Sequence, residues 1–101
     1  MVKSVPHFFL KLIPPRSTFL TDMTEPERAA MGRHAEYLRS LLANGSGVAF
    51  GPVFDPGGVF GMGIVEAADE AAARTLTDAD PAVLAGVGRY EIYPMRLLQK
   101  A

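Results

Sequence analysis

The segment His7-Phe8-Phe9-Leu10-Lys11-Leu12-Ile13 carries large apolar side chains on both sides of an extended chain. Aromatic and aliphatic residues over about seven positions, ended by Pro14-Pro15, predict a β-strand. Its alternation puts Phe8, Leu10 and Leu12 on one face and His7, Phe9, Lys11 and Ile13 on the other. Two helices can cover only one face of a small sheet. A sheet built on this strand therefore needs a partner for its other face, and a second copy of the chain, giving a homodimer, is the simplest one.

The remaining elements follow from their punctuation. Thr24-Glu25-Pro26-Glu27 is a capping box with proline in the first turn, where a missing N–H costs nothing. The helix it opens is predicted to run to about Ala43 and stop at Asn44-Gly45. Met31, Ala35, Leu38, Leu41 and Leu42 recur at helical spacing with His34 among them, while Arg33, Glu36, Arg39 and Ser40 fall opposite. Val48–Phe54 and Val59–Glu66 read as strands joined by the turn Asp55-Pro56-Gly57-Gly58. Gly61 and Gly63 thin one face of the second strand, which suggests close approach by another backbone or a ligand. Asp69 can cap a second helix through about Thr77. Asp80-Pro81 then fits an N-cap and first position of a short turn, Pro81–Ala85, ended by Gly86. A last strand is expected from about Arg89 to Tyr93, stopped by Pro94. The order β-α-β-β-α-β is the split βαβ arrangement of ferredoxin-like α+β domains: a four-stranded antiparallel sheet with two helices on one face. It accounts for residues 1–101 as one domain.

Function is first narrowed by exclusion. Ten basic and eleven acidic side chains give a net charge of −1 with no basic stripe, so nucleic acid is not the expected partner. Cysteine is absent, which removes thiolate catalysis and Cys-ligated metal sites. Two histidines 27 positions apart give no metal-ligand spacing, and no Gly-rich phosphate loop follows a strand. Neither a metal nor an organic cofactor is expected. No Ser sits in a nucleophile elbow. The run Phe8–Ile13 is too short for a bilayer, and no signal peptide is read before it, so a cytoplasmic protein free of membrane is the default expectation.

What remains is proton-transfer chemistry or none. His34 and Asp80 would form an acid/base pair if the fold joined them, since a carboxylate fixes a histidine's tautomer and orientation. Their bland readings are a core histidine and a plain N-cap; the cap is compatible with the pair, because one carboxylate oxygen can cap while the other faces the ring. Pro14–Met23 is a loop of roughly ten residues, and long loops are often functional. Its Arg16 is either a solvated cation or a bidentate clamp for an anionic substrate. Gly51-Pro52 reads as a bend in a strand, with a place in a pocket wall second. Phe9, Phe19 and Phe54 suit the core or a dimer contact, and Phe9 is also a candidate substrate contact.

These residues, taken in order, resemble the YciI-like (YCII-related) family of the dimeric α+β barrel superfamily. The likeness rests on the strand His7–Ile13 with Pro14-Pro15-Arg16, the Asp22-Met23-Thr24 helix start and His34. It extends through Phe50-Gly51-Pro52-Val53, Asp55-Pro56-Gly57-Gly58, Asp80-Pro81-Ala82, Gly86 and Tyr90-Glu91-Ile92-Tyr93-Pro94. The resemblance implies a small dimeric barrel with a His–Asp site at His34 and Asp80. It also implies a small-molecule ligand, anionic or aromatic, and chemistry of the lyase or isomerase type. One relative removes chloride from a chlorinated hydroxyhydroquinone, and other members use the domain as a binding or accessory module, which is the alternative here. The long Pro14–Met23 loop departs from the family pattern, so that relative's substrate is not carried over.

Overall fold

The computed structural model describes residues 5–100. The expectation that no signal peptide precedes the first strand falls in part on residues 1–4, outside the described residues. The strands are β1 (His7–Ile13), β2 (Gly47–Val53), β3 (Phe60–Glu66) and β4 (Arg89–Met95). They pair antiparallel in the order β2-β3-β1-β4, the expected ferredoxin-like sheet. The helices are α1 (Phe19–Asp22), α2 (Glu25–Asn44), α3 (Glu70–Asp78) and α4 (Pro81–Leu84).

Local chemistry sets each boundary of α2. The Thr24 hydroxyl accepts from the Glu27 backbone N–H while the Glu27 carboxylate accepts from that of Thr24, and Gly45 closes the helix at φ 89°. That left-handed turn is open to glycine at little cost. Asp69 caps α3 by accepting from the Ala72 N–H. The alternation of β1 is realised: Phe8, Leu10 and Leu12 are buried, and Phe8 and Leu10 join Val65 and Ala73 of α3 in the main core. Burying each such side chain stabilises the fold by about 1.5–3 kcal/mol. The other face is only half-buried within one chain, with Phe9 opposite Ile64 on one side and Tyr93 on the other.

Five expectations are revised. The Pro14–Met23 connection contains a one-turn helix, α1, whose Phe19 is buried against Ala30 and Val87. β4 continues past Pro94 to Met95 because it is an edge strand, where a residue without an N–H needs no second partner. The irregularity of β2 is not at Gly51-Pro52, which pair regularly with Met62 and Gly61, but between Gly47 and Ala49. What Gly63 makes room for is a side chain rather than a backbone, although it and Gly61 also border a cleft beside α2. The Phe50 ring lies over Gly63, and a Cβ there would stand 2.8 Å from Phe50 Cδ1; at Gly61 a Cβ would meet the Leu12 Cβ at 3.3 Å. Phe54, expected in the core or a dimer contact, is not in the core: it is 73% exposed at the end of the hairpin, which leaves the dimer contact as its remaining reading.

Candidate active site

Helix α2 turns Ala30, His34 and Leu41 inward, with half-buried Tyr37 on the same stripe. Of the apolar residues that recur at helical spacing, Leu41 packs inward, whereas Met31, Ala35, Leu38 and Leu42 line an open cleft of about 550 Å³ between α2, the α1 segment and the β2–β3 half of the sheet. His34 sits where the two stripes meet, 9% exposed, and lines the cleft as well. The Tyr37 hydroxyl donates to the Leu76 carbonyl at 2.6 Å, tying α2 to α3. The α3–α4 junction is thereby held beside the middle of α2, where Asp80 meets His34.

Asp80 is fully buried, and all its acceptor capacity is aimed at named donors. His34 Nδ1 lies 2.7 Å from Oδ2 and 2.9 Å from Oδ1. The Ala82 N–H donates to Oδ1 at 2.8 Å, the N-cap of α4, and the Tyr90 hydroxyl donates to Oδ2 at 2.6 Å. The carboxylate thus caps a helix and holds a ring at once. Burial pushes the Asp80 carboxyl up, but the hydrogen bonds from His34, Tyr90 and Ala82 outweigh it and hold the group below its ordinary value. Asp80 is therefore ionised at neutral pH and accepts only. His34 Nδ1 must therefore be the donor to Asp80, and Nε2 is the ring nitrogen turned away from the carboxylate. Among the described residues Nε2 has no hydrogen-bond partner.

Tyr90 was missed as a site residue. It stands opposite Leu12 in the β1–β4 register, so the same alternation that buries Leu12 points it at the helices and the cleft. Burial first, and the bond to Asp80 second, raise its phenol well above the ordinary range, so it stays protonated and acts as a donor. Burial and the nearby Asp80 charge likewise raise Tyr37.

The other site candidates are placed as follows. Gly51 and Pro52 line the cleft. Phe9 does not: alternation sends it to the opposite face of the sheet, where its ring centroid is 6.2 Å from that of Tyr93. Arg16 borders the cleft, but its guanidinium is engaged within the chain. It donates to Glu27 Oε1 and Oε2, each at 2.8 Å, and to Asp22 Oδ1 and the Asp22 carbonyl, each at 2.9 Å. The anionic groups it clamps are those of its own loop and helix. Glu27 is lowered to about 2 chiefly by Arg16, and Asp22 is lowered by the Thr18 hydroxyl and then by Arg16.

Among the described residues no group of three or more His, Asp or Glu side chains is placed to hold a metal ion, and no helix is long and apolar enough to cross a membrane. The profile of the YCII-related domain matches residues 7–96. Among solved structures, the chain is similar to the 5-chloro-2-hydroxyhydroquinone dehydrochlorinase of Burkholderia phenoliruptrix in complex with 2,5-dihydroxybenzoquinone. The TM-score is 0.64 at 20% identity, over 88% of this chain and 93% of that one. That likeness shows a shared fold. No curated protein matches the sequence.

Proposed function

The chain belongs to the YCII-related domain family, and from that premise and the geometry of its buried pair we propose a cofactor-independent acid/base enzyme of the lyase or isomerase type. Its substrate is a small metabolite with an apolar, ring-like body that fits the cleft. His34 Nε2 takes a proton from a carbon or oxygen of the bound molecule. Asp80 holds the tautomer and stabilises the imidazolium that forms, while Tyr90 and the Ala82 N–H keep Asp80 ionised and in place. In an elimination, the electron pair of the broken C–H bond forms a double bond and expels the leaving group; in an isomerisation, the imidazolium returns the proton at another atom. A positioned base of this kind contributes about 10²–10⁴ in rate. The similar fold binds a hydroxylated quinone and removes chloride from an aromatic ring compound, which supports an aromatic substrate here without identifying it.

The observation that carries this reading is the His34–Asp80 pair at 2.7 Å with Nε2 left unpartnered beside an apolar cleft. The test compares wild type with His34→Asn, whose amide N–H₂ can replace Nδ1 as donor to Asp80 while Nε2 is lost. Both are incubated in D₂O with a panel of small hydroxylated and halogenated ring compounds. Wild type is expected to exchange a carbon-bound proton or release halide, and H34N to bind the same compounds without doing either. Compounds that bind both proteins equally and react with neither would make the cleft a binding module instead.

A further inference from the structure

Arg39 follows Ala35 by one turn of α2 and precedes Leu42 by another, and all three line the cleft. It was read from the sequence as a solvated residue on the polar side of the helix. Two observations give it a different part. First, the cleft's other guanidinium, Arg16, is joined to Asp22 and Glu27, both held ionised, so that its donors are spent within the chain. An anionic ligand finds no free donor there. Second, among the described residues Arg39 has no carboxylate within 4 Å, and Glu36, three positions earlier, is not paired with it. Its donors are open to whatever enters the mouth.

We propose that Arg39 is the anion-recognition residue of the cleft and that the substrate is a small planar carboxylate, bound with its anionic group at Arg39 and its reacting atom at His34. The inference rests on the acid/base reading of His34 and adds the polarity of the ligand and its orientation. Apolar walls such as Leu12, Leu38 and Phe50 favour an aromatic body over a flexible polar one. A carboxylate sunk among those walls would lose hydration without recompense, whereas at the rim a planar guanidinium meets it with two parallel hydrogen bonds. The five residues from His34 to Arg39 rise about 7.5 Å along the helix and turn about 140° around it. The two residues therefore flank the cleft stripe of Met31, Ala35 and Leu38 from its two edges. The long Arg39 side chain must lie back over that stripe for one ring bearing a carboxylate to reach both. The corner beside α1 offers no competing donor, because Arg16 is already held by Asp22 and Glu27.

The experiment uses 2,5-dihydroxybenzoate and hydroquinone, which differ by one carboxylate, with calorimetry for affinity and ¹⁵N-NMR of the His34 ring to register occupancy. Wild type is expected to bind the carboxylate about tenfold more tightly, as a charge-assisted bond warrants, with the preference shrinking as salt is raised. Arg39→Gln should erase the preference while hydroquinone binding stays unchanged. Arg39→Lys should keep part of it, and Arg33→Gln, the same charge change off the cleft, should keep all of it. A preference that survives in R39Q, or equal binding of the two probes to wild type with the His34 ring signals shifting, overturns the role of Arg39 and leaves the base intact. Probes that bind without moving the His34 signals, or fail to bind, overturn both.

Discussion

Replacing Asp80 with asparagine separates what the carboxylate does for the fold from what it does for His34. Three donors converge on it: the His34 ring, the Tyr90 hydroxyl and the Ala82 N–H. An amide of the same shape offers one oxygen and one N–H₂. With its oxygen kept toward the Ala82 N–H, asparagine caps α4 about as well as aspartate does. The N–H₂ then faces Tyr90 and, at the shorter of its two contacts with the carboxyl group, His34, so both become acceptors. The hydroxyl does so by rotating; the ring does so only by moving its proton from Nδ1 to Nε2. The base is thereby occupied while the packing barely changes. Loss of the charge-assisted bonds should cost about 1.5–3 kcal/mol, well inside the roughly 5–15 kcal/mol that holds an ordinary domain together, so D80N stays folded. Any proton transfer through His34 should fall by about 10⁴, the size of effect a wrong tautomer has in the serine-protease triad. Asp80→Ala should be far more damaging to stability because it leaves all three donors without an acceptor. The ¹⁵N shifts of the His34 ring near pH 8 provide the assay: Nε2 protonated in D80N, Nδ1 protonated in wild type. A D80N protein whose Nε2 remains unprotonated, with D₂O exchange activity within tenfold of wild type, would refute the assignment of Asp80 as the group that orients the base.

Acid should reveal the carboxylates that the fold holds low. Glu27, Asp22 and Asp80 all have folded values below their unfolded ones, so their contribution is fully present above about pH 4.5 and is lost as pH falls through the folded values. Arg16→Ala should lower Tm at pH 7 and flatten the decline between about pH 4.5 and 2, where Glu27 now titrates; equal melting curves for R16A and wild type at pH 7 would show that the Arg16 ties do not hold the α1 segment. The open sheet face, with Phe9, Ile64 and Tyr93 in register, is proposed to pack against a second copy: light scattering at micromolar concentration should give about twice the 10.9 kDa chain mass, and Phe9→Asp should halve it. A wild-type mass of one chain would remove that interface.

The elements were legible where local chemistry decides them. Thr24, Gly45, Asp69 and Asp80 each mark a helix end through one or two hydrogen bonds of their own, and β1 declares both its faces by alternation. Pro94 misled because a proline stops a strand only where its N–H would be needed, and the edge position that exempts β4 is a property of the assembled sheet. The glycines of β3 misled in part, for a related reason. What fills the space over Gly63 is the ring of Phe50 from the neighbouring strand, and no residue near Gly63 in sequence announces it.

The site divides along the same line. That His34 and Asp80 could meet followed from topology, because the turn after the second helix of a split βαβ unit reaches the middle of the first. Which way α2 is rotated did not follow, since Ala30, Met31, His34, Ala35, Tyr37, Leu38, Leu41 and Leu42 make an apolar arc wide enough to satisfy both the core and a cleft. The choice falls to Asp80 and Tyr37: one bond to the α4 cap and one to the Leu76 carbonyl fix the helix so that its second apolar stripe is left over. The polar contacts that hold the candidate base thus also determine that a cleft exists beside it. Arg39 is carried to the rim by the same rotation, which is why it looked like a solvated residue in the sequence and borders the cleft in the fold.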